Sequence, residues 1–138
     1  MSILLEIITP EGIKYKDEVE EAIVPTTTGE ITILPNHVNL VSKVSPGELV
    51  IKKNNKSYSI IVTDGFLEIQ KNHIIILANY AIRAENINIA KTEEAKKRAE
   101  NLMKEKISDK DFRIAEADLR KAILELKIAF KHRRKPTV

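Results

Sequence analysis

The hydrophobic rhythm of the chain changes across the stretch Ile74-Ile75-Ile76-Leu77-Ala78-Asn79-Tyr80-Ala81-Ile82-Arg83-Ala84-Glu85-Asn86-Ile87-Asn88-Ile89-Ala90. Before residue 86, apolar residues alternate or run in short bursts broken by Pro, Gly, Asn and Asp. After it there is no Gly, no Pro until Pro136, and apolar residues recur three and four apart. A period of two marks strands and a period of 3.6 marks helices. The stretch therefore divides the chain into an all-β module, residues 1–85, and an all-α module, residues 86–138.

Upstream of this boundary the turn signals come often. Thr9-Pro10-Glu11-Gly12 follows a first strand, Ile3 to Ile8, and Val19 to Val24 makes a second that stops at Pro25. Glu30-Ile31-Thr32-Ile33 alternates cleanly up to Leu34-Pro35-Asn36-His37, and Val38 to Val44 ends at Ser45-Pro46-Gly47. Lys53-Asn54-Asn55 separates Glu48 to Lys52 from Lys56 to Val62, which is a hairpin signal. Phe66 to Ile69 and Ile74 to Ala78 flank another turn, Gln70 to His73. About eight or more short strands at this spacing predict a β-sandwich.

Downstream, Asn86 and Asn88 are both suited to cap a helix. Glu93 with Lys97, Glu94 with Arg98 and Glu100 with Lys104 are spaced to line a solvated face, with Ala95, Ala99 and Leu102 opposite. Ser108-Asp109-Lys110-Asp111 interrupts the pattern in the manner of a capping box. A second helix is expected from about Lys110 to Lys131, with Phe112, Ala115, Leu119, Ala122, Leu126 and Ala129 as its seam. So short a connection makes the two helices an antiparallel hairpin. An Ala-rich seam buries little surface, so the hairpin can form and can also open.

Composition excludes several kinds of chemistry. The 138 residues contain no Cys and no Trp, with 43% hydrophobic and 31% charged residues, so the core must rest on Ile, Leu and Val. Disulfides, thiolate metal sites and Cys nucleophiles are absent. With 4 Gly there is no glycine-rich phosphate loop, and the three His are isolated from one another. No apolar run approaches the length of a membrane span, and the N-terminus has no basic region of a signal peptide. The carboxylates Glu18, Glu20 and Glu21 read as a solvated sheet edge rather than a catalytic pair.

The formal charge of +3 is uneven. Residues 1–84 carry 8 Lys/Arg and 10 Asp/Glu, a net of −2, and residues 85–138 carry 15 and 10, a net of +5. The end of the chain, Lys131-His132-Arg133-Arg134-Lys135, is most basic. A nucleic-acid-binding helical hairpin is the alternative this raises. Low aromatic content and the near balance of charge along the helices weigh against it. A small hydrolase is disfavoured by the lack of any nucleophile–base pair.

Taken together the segments resemble the ε subunit of F-type ATP synthases. The resemblance rests on Thr9-Pro10-Glu11-Gly12, Val24-Pro25, the run Gly29 to His37, Pro46-Gly47-Glu48-Leu49, Gly65-Phe66-Leu67-Glu68-Ile69, Ala81 to Glu85 and Ala95 to Glu100 in this order and spacing. It implies a non-catalytic central-stalk subunit that couples ion-driven c-ring rotation to ATP synthesis. Its partners would be the γ subunit, the c-ring and, in an inhibited state, the α/β catalytic head. It would bind no nucleic acid, and it would meet the membrane only through the complex. It would lie at the cytoplasmic face of a bacterial inner membrane or the stromal face of a thylakoid.

The resemblance carries over Glu30, with Ile31 beside it, as a c-ring contact, and Thr9 and His37 as γ contacts. It makes the second helix an inhibitor of ATP hydrolysis when extended. Arg113, Arg120, Lys121 and Lys127, with Arg133 and Arg134 beyond, would meet an acidic segment of the head. Some members of the family bind ATP on the folded hairpin through an Ile/Leu-Asp-x-x-Arg-Ala motif. Here the matching residues are Ile87, Asn88 and Lys91, with Arg98 retained and Lys121 and Glu125 at two basic positions of the second helix. Asn lacks the carboxylate, Lys lacks the fork, and Glu125 would repel phosphate. No cofactor is therefore expected, and ATP is at most a weak regulatory ligand. Calorimetric titration of the isolated chain should give no saturable heat with ATP, and micromolar affinity would overturn this reading.

Overall fold

The computed structural model describes residues 1–134, with the side chain of Arg134 and residues 135–138 outside the description. Lys135 and Pro136 thus lie outside the described residues. The chain forms two compact units, Met1–Arg83 and the part from Ala84 onward.

The first unit holds ten strands: β1 (Ile3–Thr9), β2 (Gly12–Val19), β3 (Glu21–Thr26), β4 (Gly29–Ile33), β5 (Leu40–Val44), β6 (Gly47–Lys53), β7 (Lys56–Val62), β8 (Gly65–Gln70), β9 (His73–Ala78) and β10 (Ala81–Arg83). Their order is β10-β7-β6-β3-β5-β8-β9-β1-β2, with β4 paired to β3. β3 makes the corner. Its first half, Glu21 to Ile23, pairs with β6, and Thr26 pairs with β5. Pro25, which has no N–H to give, stands between these pairings, and its carbonyl accepts from Ser45 N at 3.1 Å.

Strict alternation builds the core. Ile3, Leu5 and Ile7 of β1 and Ile74 and Ile76 of β9 are at most 1% exposed and meet Leu49, Ile51, Leu67 and Ile69 in one aliphatic cluster. The β6–β7 and β8–β9 hairpins turn on Asn54-Asn55 and Lys71-Asn72, all four residues at positive φ. That is the pairing of left-handed residues a two-residue hairpin turn requires, and Asn, after Gly, tolerates it best. Two strands escape the sequence pattern. β2 is an edge strand dominated by charged residues, and β10 spans three residues.

The second unit opens with one 3₁₀ turn, Ala84–Asn86, followed by α1 (Ile89–Met103) and α2 (Asp109–Arg134). Asn88 caps α1 by accepting from Lys91 N at 3.1 Å, and Ser108 Oγ accepts from Asp111 N at 3.1 Å ahead of α2. Ala99 of α1 and Ala115, Ala122, Leu126 and Ala129 of α2 are buried, which matches the expected seam. Phe112 and Leu102 depart from it, being 37% and 46% exposed, so the buried seam stops at Ala99 and Ala115. Among the described residues no helix is long and apolar enough to cross a membrane.

Gly65 is where the β8–β9 pairing leaves no room. A Cβ there would lie 1.8 Å from the carbonyl oxygen of Leu77 on the paired strand. Gly65→Ala should destabilise the first unit by about 2 kcal/mol or more, through forced displacement of backbone. Thermal unfolding followed by circular dichroism checks this, and an unchanged midpoint would contradict the geometry.

Candidate functional site

An exposed apolar row crosses the outer face of the layer β5-β8-β9-β1-β2. A bulge produces it. Ile7 pairs with Tyr15, but Ile8 pairs with Ile13, so Lys14 is the extra residue and Ile13 shares the outer face with Ile8. Ile8 lies opposite Leu77, and Leu77 lies opposite Phe66. Ile13, Leu77 and Phe66 are 59%, 50% and 55% exposed, and Val41 on β5 extends the patch. Between Ile8, Phe66 and Leu77 and the turns beyond them lies an open depression of about 400 Å³. Toward the other end the same face turns polar, with Glu6 3.7 Å from Lys16 and 3.3 Å from His73. A contiguous apolar patch with a polar border has the character of surfaces that dock other proteins.

The expected contact residues take up three positions. Thr9 continues the inward series of β1 and is 7% exposed, its Oγ1 accepting from Glu11 N at 3.2 Å. It shapes the rim of the depression, while Pro10 and Glu11 present the exposed surface. His37 belongs to the opposite end of the layer. Its N–H donates to Leu34 O at 3.2 Å, and its Nδ1 lies 2.8 Å from Val38 O. Asn36 and Asn72 exchange hydrogen bonds, Asn36 N to Oδ1 at 2.5 Å and Asn72 Nδ2 to Oδ1 at 3.1 Å, which ties this loop to the β8–β9 turn. Glu30 and Ile31 lie on β4, whose outer edge no strand covers among the described residues. Glu30 is exposed there, and Ile31 is half-buried against the core.

The acidic residues before β3 are clamps. Glu21 pairs with Lys52 at 3.1 Å, and Glu20 accepts from Asn54 N at 3.1 Å. Asp17 of β2 pairs with Lys53 of β6 at 2.5 Å, and the Arg83 guanidinium of β10 stands 5.3 Å from the Tyr15 ring centre. These contacts draw the two edges of the sheet order together. The Lys53 hydrogen bond holds the Asp17 carboxyl below its usual range, and the same bond raises Lys53. Burial first, and the Asp17 charge second, raise the Tyr15 phenol.

On α2, Arg113, Arg120 and Lys127 are exposed and follow one another at seven-residue spacing, which places them along one face. Position 134 is next in that register. Arg120 meets Glu116 at 3.4 Å, and Arg113 Nε donates to Asp109 O at 3.4 Å. Beside this basic row run the exposed Phe112, Ile123 and Phe130. Lys121 is half-buried, one residue and about 100° around the helix from Arg120. Arg133 is exposed overall, but its guanidinium folds back onto the start of the unit, Nη2 donating to Ile87 O at 2.8 Å. Of the expected nucleotide residues, Ile87 is buried, the Asn88 side chain is used as a cap, and Lys91 and Arg98 are exposed. Glu125 is buried opposite Thr92, whose Oγ1 is 3.4 Å away. Among the described residues no group of three or more His, Asp or Glu could hold a metal ion.

Comparison with known proteins places this geometry. Residues 2–84 match the model for the ATP synthase delta/epsilon chain β-sandwich domain, and residues 85–129 match that for its long α-helix domain. The chain is 41% identical over 135 residues to the ATP synthase epsilon chain of Dehalococcoides mccartyi, covering 97% of this chain and 96% of that one. It is 40% identical over 129 residues to that of Caldanaerobacter subterraneus, covering 93% and 94%. Among solved structures it resembles a chain of the Euglena gracilis mitochondrial ATP synthase with a TM-score of 0.65 at 18% identity, covering 97% of this chain and 82% of that one. It also resembles one from the central stalk and c-ring of the Tetrahymena thermophila enzyme, with a TM-score of 0.59 at 16% identity, covering 91% and 95%. These two likenesses concern the fold.

The Asp17–Lys53 clamp sets a pH dependence. A lowered Asp17 contributes stability that is full above its unfolded value near 3.8 and lost as pH falls through the folded one. A raised Lys53 contributes stability that is full below its unfolded value near 10.5 and lost as pH rises through the folded one. Asp17→Asn should lower the melting midpoint at pH 7 by about 2 °C, and should flatten its acid decline. Melting curves from pH 2 to 8 check this. An acid limb identical to that of the parent would refute it.

Proposed function

This chain belongs to the delta/epsilon chain family of ATP synthases, and from that premise we propose that its two units divide the work of a central-stalk subunit. The chain is a non-catalytic accessory subunit. The sandwich is its rotor-binding part. Its outer apolar row, Ile13-Ile8-Leu77-Phe66, docks on the γ subunit between the Thr9 rim at one end and the His37 loop at the other. Glu30, on the uncovered β4 edge and outside the apolar row, faces the polar loops of the c-ring with Ile31 beneath it. In this way rotation driven by ion flow passes through a rigid body to the catalytic head.

The helical unit is the regulatory part. Closed, its seam is satisfied within the hairpin. Extended, α2 reaches the head, where Arg113, Arg120 and Lys127 meet an acidic surface of the β subunit and Phe112, Ile123 and Phe130 supply apolar contact. The exposed apolar row beside the basic row supports this, because a closed hairpin leaves both without use. The chain would sit peripherally at the cytoplasmic face of a bacterial inner membrane, or the stromal face of a thylakoid, held there by its partners. ATP has no well-formed place on the hairpin, since the Asn88 side chain is engaged and Glu125 brings a carboxyl to the helix interface.

The observation that carries the reading is the apolar row, exposed on a fully formed sheet face. Phe66→Asp with Leu77→Asp should weaken assembly with γ by more than about tenfold without altering the β circular dichroism, as expected for central hot-spot residues. Deleting residues from Asp109 onward should leave assembly intact and relieve inhibition of ATP hydrolysis. Wild-type γ affinity in the first variant, or undiminished inhibition in the second, would defeat the corresponding half of the proposal.

A further inference from the structure

We infer that Arg133 is the latch of the closed hairpin and that Glu125 opposes it, so the resting position of the hairpin is set by these two side chains. Both sit within the helical unit. The carbonyl of Ile87 lies ahead of the Asn88 cap, outside the hydrogen-bond ladder of α1. Arg133, in the last turn of α2 and 46 residues along the chain, donates to it from Nη2 at 2.8 Å in a part-buried setting. This charge-assisted bond ties the first and last turns of the unit together. The rest of the closed seam is mostly alanine, which buries little area per contact.

Glu125 acts the other way. It is 6% exposed, and its Oε1 is buried with no hydrogen-bond partner. Its Oε2 is 3.4 Å from the Thr92 hydroxyl, but that hydroxyl has one proton and already donates to Asn88 O at 2.8 Å. Closure therefore strips a carboxyl of water and returns almost no hydrogen bonding, a debt that opening discharges.

The inference deepens the regulatory reading above and rests on it in one respect. Arg133 was expected among the side chains that meet the head. While Nη2 is held on Ile87 O, Arg133 cannot travel with an extended α2 to an acidic partner, so closing and inhibiting compete for the position of the same side chain. Release of Arg133 is then the step that commits α2 to extension.

The test uses the full chain, which has no Cys, so that Glu94→Cys and Ile123→Cys place spin labels on exposed positions of α1 and α2. Electron–electron distances report the closed and open populations. Arg133→Ala should raise the open-to-closed ratio about tenfold, the usual effect of losing a hydrogen bond to a charged group. Glu125→Gln should lower that ratio. Arg133→Lys keeps the charge and the helix propensity but not the fork, and should open the hairpin to a lesser degree. It serves the same purpose if the alanine variant unravels the last turn. A ratio unchanged from the parent in both Arg133 variants overturns the latch. ATP hydrolysis by the assembled enzyme is read separately. If Arg133→Ala opens the hairpin yet leaves inhibition as it was, the latch stands and the regulatory reading falls.

Discussion

Parallel pairing of β1 with β9, Leu4 to His73 through Ile8 to Leu77, is the constraint from which the first unit follows. The β1–β2, β3–β4, β6–β7 and β8–β9 pairings are antiparallel and join strands adjacent in the chain. The β1–β9 ladder instead brings together residues 69 positions apart, as in the pairing of Leu4 with His73. Closing a loop over such a separation costs entropy that the contacts along the ladder must offset. The ladder also sets Ile3, Leu5 and Ile7 against Ile74 and Ile76 at the centre of the core. The sandwich is thereby one body, as the proposed role of passing rotation to the head requires.

The outer face inherits its character from the same ladder. Once Ile7 and Ile76 face inward, Ile8 and Leu77 must face outward, since successive side chains of a strand take opposite sides. The bulge on β2 then brings Ile13 opposite Ile8 instead of Lys14. Exposed apolar area of this kind is a liability on an isolated subunit, and the proposed docking on γ would cover it. The edges are treated differently. β2 is studded with charge and clamped through Asp17 and Tyr15, whereas β4 leaves its backbone open beside Glu30.

The helical unit is held by weaker means. Small side chains along its seam, a capped start to each helix and a side-chain bond from Arg133 to a carbonyl stand where the sandwich has a dense aliphatic core. A buried carboxyl at Glu125 sits among them. The contrast is one of packing, and it suits the proposed division between a rigid body and an arm that opens, since elements that move are drawn from the less densely packed end of a structure.

The order of the modules, the position of most strands, the helix caps and the Ala-rich seam were legible in the residues alone, because period, turn chemistry and capping are local properties. The family was legible too, since ordered segments along the whole chain carry the resemblance. β2 was not legible, because an edge strand protects itself with charges that hide its period, and a bulge breaks what remains. Nor was the apolar row. Ile8 and Leu77 lie in runs such as Ile74-Ile75-Ile76-Leu77-Ala78, where every residue looks like core, and only the register across neighbouring strands decides which of them meets water. The separation of Thr9 from His37, the Asn36–Asn72 tie and the bond of Arg133 to Ile87 O are likewise products of tertiary structure. Each depends on a partner far away in the chain, and local sequence carries no record of a distance it does not span.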